Sequence, residues 1–251
     1  MYPYSLIVCG CTKNSSNYIK KNLELLYDIQ PLFKEFKLLV FENDSVDSTG
    51  KILQLFKSTH PLFDFISETN NILKRTEAIA HGRNTLLQYA QNHNYDYMIM
   101  VDLDDVISTF KSSQIKYLFE KDEWDALFAN CIGKYYDVWA LRIDQTIWNS
   151  SNPFKMIDFD CWEMAKRCQT NRCVSAYQIV IPINAPLIPV TSAFGGFGIY
   201  KVNKTQGCSY NGDTCEHVSF HKEMIEKNKA KLFICPKFLV NKQDVHIIKN
   251  V

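Results

Sequence analysis

The sequence predicts an α/β fold with a mainly parallel central sheet flanked by helices. Three features predict it. Apolar runs of strand length alternate with segments of helical spacing, the links between them are short, and polar residues follow each run. Residues 5–9 contain the first run, Leu6-Ile7-Val8-Cys9. Ile19, Leu23, Leu26 and Tyr27 then recur at helical spacing and residues 36–41 are apolar again, which makes a β-α-β start. Asp47, Ser48 and Thr49 are cap-type residues ahead of Ile52, Leu53, Leu55 and Phe56, so a second helix is expected, with a third strand at residues 63–66. A longer helix over residues 75–92 has Ala78, Ile79, Leu86, Leu87 and Ala90 as its apolar stripe and precedes the run Tyr97-Met98-Ile99-Met100-Val101. Four strands separated by helices call for crossovers of one hand, hence parallel neighbours.

The second half is less regular. Aromatic residues gather around Tyr135, Tyr136 and Trp139, residues 181–189 are rich in proline, and Phe194-Gly195-Gly196-Phe197-Gly198 reads as a glycine-rich turn. Neither a repeat nor a composition shift marks a boundary, so residues 1–251 are expected to form a single domain. With 46% of 251 residues apolar, the chain suffices for one large core but is tight for two.

Charge and composition exclude several functions. Lys plus Arg number 28 against 27 Asp plus Glu, which disfavours bulk binding to nucleic acid. No transmembrane segment is expected, because no window approaches the roughly 18 uninterrupted apolar residues that span a bilayer. The N-terminus lacks the basic run of a signal peptide, so a soluble, cytoplasmic protein is expected. Nine cysteines without a CxxC imply neither a zinc site nor a disulfide framework, although Cys168 with Cys173, or Cys208 with Cys215, are close enough in sequence to pair.

Ligands of parallel sheets collect at the carboxyl ends of the strands. There the sequence places residues 10–14, residues 42–45, and Asp102-Leu103-Asp104-Asp105. Three carboxylates in four positions repel one another unless a cation or a set of donors neutralises them. In an extended segment Asp102 and Asp104 share one side and Asp105 takes the other, so the first two can reach one divalent ion. Mg²⁺ or Mn²⁺ held by few carboxylates keeps positions open for phosphate oxygens. A solvated acidic loop or a helix cap is the alternative.

Three stretches in order carry a resemblance: residues 41–49 (Phe41-Glu42-Asn43-Asp44-Ser45-Val46-Asp47-Ser48-Thr49), residues 75–84, and residues 97–105. Together they resemble the nucleotide-sugar half of family 2-like glycosyltransferases with the glycosyltransferase-A fold. Residues 125–130 and 135–142 look like the capsule-associated mannosyltransferase group within it. The resemblance is good over residues 5–145 and rests on isolated motifs beyond. It implies a nucleotide-sugar-binding half at about residues 1–110 and an acceptor-side half at about residues 111–251.

The resemblance implies a role for each stretch. Cys9, Gly10, Cys11 and Thr12, with Glu42, Asn43 and Asp44, would hold base and ribose of a UDP- or GDP-linked sugar. Arg75 and Arg83 would approach the diphosphate, beside Asp102 and Leu103, although both arginines also fit an exposed helix face. Asp102, Asp104 and His246 would bind Mn²⁺ or Mg²⁺, with His221 as the fallback third ligand. Phe194, Gly195 and Gly196 would form the acceptor-side loop, where missing side chains let backbone approach a sugar. Trp124, Trp139, Trp148 and Trp162 are candidates for stacking on sugar faces, or for the core.

Residues 212–221 read as a helix start with Asp213 or Thr214 as cap and Glu216 in the first turn, where the helix dipole favours a carboxylate. In related glycosyltransferases an acidic residue here deprotonates the acceptor hydroxyl, so Glu216 is the implied base and Asp213 the alternative; the expected acceptor is a glycan, lipid or protein. A capping box is the competing reading of Glu216. His217 and His221 share a helix face, yet Val218 stands where a zinc protease needs Glu. A nucleotidyltransferase and a non-catalytic nucleotide- or carbohydrate-binding module are the rival functions. The first is disfavoured because Gly10 is the one glycine near the end of the first run.

Overall fold

The computed structural model describes residues 1–69 and 74–248. The expected opening is present: β1 (Tyr2–Thr12), α1 (Ile19–Tyr27), β2 (Phe33–Asn43), α2 (Thr49–Thr59), β3 (Phe63–Glu68), α3 (Arg75–Asn92) and β4 (Tyr97–Val101). After it come β5 (Ala126–Cys131), α4 (Cys161–Cys168), α5 (Arg172–Ser175), β6 (Ile188–Pro189), β7 (Phe197–Lys201), α6 (Glu216–Asn228) and β8 (Leu232–Val240). Among the described residues the strands form one sheet in the order β3-β2-β1-β4-β7-β5-β8-β6.

Strands β1 to β4 are parallel, as the alternation with helices requires. Helices cover both faces of such strands, which explains why Leu6, Ile7, Val8 and Cys9 form a continuous apolar run rather than an alternating one. Each large side chain buried there contributes about 1.5–3 kcal/mol. β7 departs from the expected pattern. It runs antiparallel between β4 and β5, while β5 and β8 pair in parallel and β6 closes the edge antiparallel. All nine cysteines are free thiols, so neither local pairing forms. Among the described residues, no helix is long and apolar enough to cross a membrane.

The glycine-rich turn is the hinge between β7 and the carboxyl end of β4. Gly195 and Gly196 both have positive φ, +67° and +82°, a region that costs residues with a Cβ. A Cβ on Gly195 would stand 2.6 Å from the Ala129 carbonyl oxygen, and one on Gly196 would overlap Val106. The backbone does approach closely here, but it approaches its own chain: the Gly196 carbonyl accepts from the Asp102 N–H at 2.9 Å. Substituting Gly195→Ala is therefore expected to destabilise by about 2 kcal/mol or more. Gly50→Ala, near the start of α2 with open space around it, is expected to be neutral or stabilising by up to about 1 kcal/mol. Urea unfolding of the two variants checks this, and equal midpoints would refute the turn's role.

Candidate active site

The carboxyl ends of β1, β2 and β4 open into a cleft of about 1460 Å³. Cys11, Thr12 and residues 13–15 enter it from β1, Phe41 and Asn43 from β2, and Asp102, Leu103 and Asp104 from beyond β4. α3 contributes Arg75, Ala78, Ile79 and Arg83, and the start of α6 contributes Glu216 and His217. A smaller hollow of 290 Å³ lies at the amino ends of β1 and β4, among Tyr4, Tyr95 and Lys201, and contains none of the predicted site residues.

Arg83 organises the cleft. Its Nη2 donates to Asp102 Oδ1 at 2.9 Å, and its Nη1 donates to Glu216 and to the Nε2 of His217. The arginine and Glu216 are nearly inaccessible, whereas Asp102 keeps 35% of its side chain open. Burial opposes the charge on Arg83, but Glu216 and Asp102 more than offset it and raise its pKa. Burial likewise pushes the Asp102 carboxyl up to about 7, against the pull of Arg83 and with help from the negative charges of Asp104, Asp137 and Glu216. Asp137 is raised in turn, chiefly by burial. Burial and the Arg83 charge keep His217 neutral. Two buried atoms, Glu216 Oε2 and His217 Nδ1, have no hydrogen-bond partner.

The acidic loop is held by other parts of the chain. The Asn22 side chain on α1 donates to the Asp104 carbonyl at 2.6 Å. Asp104 caps the short 3₁₀ turn Asp105–Ile107 by accepting from the Val106 N–H, and its Oδ2 accepts from Gln243 at 2.6 Å. As expected, Asp102 and Asp104 face the cleft and Asp105 does not line it. Among the described residues, no preformed cluster of three or more His, Cys, Asp or Glu has metal-site geometry. Two carboxylates on one wall, repelling each other and short of neutralising charge, fit a divalent ion that arrives with phosphate ligands better than one held in a protein cage.

Placement corrects several expectations. Cys9 is in the core and Gly10 packs on Leu103 and the Val101 carbonyl, so neither lines the cleft, which begins at Cys11. Glu42 turns inward, accepting from the Ser45 N–H and the Ser67 hydroxyl, and Asp44 pairs with Lys13 at 3.9 Å outside the lining. Phe194 lines the cleft, but Gly195 and Gly196 shape the turn behind it. His221 is fully buried between Ser192 and Tyr200 and away from the lining, which removes it as a fallback ligand, whereas exposed His246 lines the cleft in the 3₁₀ turn Asp244–His246. The cap of α6 is Cys215 rather than Asp213 or Thr214, although both line the cleft. Of the two arginines that fit an exposed helix face, Arg83 is internal, whereas Arg75 is exposed on the cleft rim.

Asp137, Gln243 and Asn22 were not anticipated. Asp137 accepts from the Gly195 N–H at 2.8 Å. Its one signal was a lone acid inside the aromatic stretch 135–139. Asn22 was legible as the polar residue beside Leu23 in an otherwise apolar helix face.

Residues 7–176 match the family model described as glycosyl transferase family 2. No curated protein matches the chain by sequence. Among solved structures, the mannosyltransferase PcManGT from Pyrobaculum calidifontis in complex with GDP-Man and Mn²⁺ aligns with 96% of this chain and 57% of its own, at 15% identity and a TM-score of 0.60. TarS residues 1–349 from S. aureus in complex with UDP-GlcNAc aligns with 96% of this chain and 59% of its own, at 16% identity and a TM-score of 0.53. The chain thus spans under two thirds of both, and at these identities the likeness is one of fold.

Two outcomes are expected from the buried charges. Replacing Arg83→Met leaves two carboxylates unpaired and is expected to cost about 3–5 kcal/mol, part of which Glu216→Gln added to it restores. A double-mutant cycle by urea unfolding tests this, and strictly additive effects would refute it. Burial holds the pKa of His221 down to about 3. Below about 6.5 the unfolded chain takes a proton that the folded one refuses, so this residue withdraws roughly 1.4 kcal/mol per pH unit between 6.5 and 3. Thermal unfolding of His221→Gln should therefore depend less steeply on pH over that window than the parent, and parallel profiles would contradict it.

Proposed function

The chain belongs to glycosyl transferase family 2 and has the glycosyltransferase-A fold, and from that premise we propose that it moves a sugar from a UDP- or GDP-linked donor to an acceptor hydroxyl with the aid of Mn²⁺ or Mg²⁺. The observation that carries the reading is the convergence, in one cleft at the strand ends, of the acidic pair Asp102 and Asp104, the guanidinium of Arg83 and the carboxylate of Glu216. The nucleotide-sugar complexes of PcManGT and TarS support the donor class.

Each group has work suited to its surroundings. Cys11, Thr12 and Asn43 receive the nucleoside, with Arg75 on the rim toward the diphosphate. Asp102 and Asp104 would hold the cation, with His246 on the same cleft lining as the further candidate ligand, and the cation would supply positive charge to the leaving diphosphate. Glu216, whose Oε2 is unpartnered, takes the proton of the attacking hydroxyl; Arg83 fixes its other oxygen. Transfer with inversion of configuration follows from a base so placed, and Asp213, exposed at the same opening, is the second candidate.

A panel of UDP- and GDP-sugars incubated with the protein and Mn²⁺, read as free nucleoside diphosphate, tests the proposal. Asp104→Ala is expected to remove metal dependence and weaken nucleotide protection against heat. Glu216→Gln is expected to lower kcat about 10²–10⁴-fold with little change in donor affinity. No release from any donor, with no thermal protection by either nucleotide, would overturn it.

A further inference from the structure

One wall of the cleft takes no part in that account. It belongs to the half of the sheet beyond β7, in the long excursion between β5 and β6, and it is built around Asp160. This carboxylate accepts from the indole N–H of Trp139 at 2.8 Å through one oxygen, and from the N–H groups of Trp162 and Glu163 at 2.9 and 3.0 Å through the other. A single side chain thereby caps α4 and fixes Trp139 beside it.

The cleft face of α4 carries Trp162 and Lys166, and next to them Glu163 and Arg167, each pair one helical turn apart. Cys161 and Ala165 hold the opposite face in the core. Both tryptophans are half-buried and line the cleft, whereas Trp124 is in the core and Trp148 is exposed outside the lining. Of the charges on this wall, Asp160 is spent on the cap, Glu163 pairs with Arg167 at 3.1 Å, and Asp137 accepts from the Gly195 and Ala140 N–H groups. Among the described residues, Lys166 has no carboxylate partner.

We propose that Trp139, Trp162 and Lys166 form the acceptor subsite and that it selects an acceptor sugar that carries a phosphate. The proposal rests on the glycosyltransferase reading, since it assigns the second substrate of the same cleft. A half-buried tryptophan lining a concave polar site suits the C–H face of a sugar ring. Lys166 lies one helical turn from Trp162, with Cβ atoms about 5–6 Å apart, so a ring stacked on the indole and a phosphate it carries fall on the same face of α4. An ammonium is an effective point charge for phosphate, and the exposed Glu163–Arg167 pair is weak enough for Arg167 to join it. Glu216 shares the cleft and receives the proton of the acceptor hydroxyl.

Tryptophan fluorescence, titrated with glucose, glucose 6-phosphate and inorganic phosphate in turn, tests this without turnover. Glucose 6-phosphate is expected to bind at least about tenfold more tightly than either of the others. Lys166→Glu should erase that preference, and Trp162→Leu should weaken both sugars. Equal binding of glucose and its phosphate, a preference that survives Lys166→Glu, or binding of inorganic phosphate as tight as that of the sugar phosphate would each overturn the subsite. Heat protection of the same variants by UDP or GDP with Mn²⁺ reports separately on folding and on the donor reading, so failure of one is not mistaken for failure of the other.

Discussion

Arg83 stands between two carboxylates that would otherwise repel, one buried and one open to the cleft. One comes from the end of β4 and the other from the start of α6, so the contact joins α3, β4 and α6 at one point. Its guanidinium also lies 4.9 Å from the Phe194 ring centroid, and Phe194 stacks on His217 at 3.8 Å. The cation is thus enclosed by acids on its edges and an aromatic face alongside, a combination that offsets the loss of water around it. Glu216 keeps one free oxygen because the arginine holds the other.

The acidic loop depends on a different support, one backbone hydrogen bond and two amide side chains. Asp102 is aligned by the Gly196 carbonyl, Asp104 by Asn22 from one side and Gln243 from the other. Gln243 also donates to Asp105 at 3.1 Å, which fastens the segment after β8 against the loop. The carboxylates are therefore positioned before a ligand enters, and little ordering is left to be done on binding.

Particular residues explain how much was legible in the sequence. Strands β1, β2 and β4 were readable because burial on both faces writes a continuous apolar run such as Leu6-Ile7-Val8-Cys9. β7 was not, because Gly196 and Gly198 flank its start and give the stretch the composition of a turn, although residues 197–201 pair on both sides. β8 was masked by Pro236, which cannot donate to a ladder; the register against β5 shifts there, and Asn130 bonds the Pro236 carbonyl instead. Asp102, Asp104 and Glu216 were readable as acids at strand and helix ends. That Arg83 is buried was not, since an arginine inside an amphipathic helix reads as a surface residue until a second carboxylate arrives from 133 residues along the chain.

The antiparallel insertion of β7 also sets an order of assembly. Met98 in β4 faces Tyr200 in β7, about a hundred positions later, and the Asp102 amide finds its acceptor only at Gly196. Such distant pairing makes ring closure entropically costly and slow. During synthesis the first four strands can dock while the acidic pair still lacks its brace, which is completed only after Gly196 and then Gln243 have emerged.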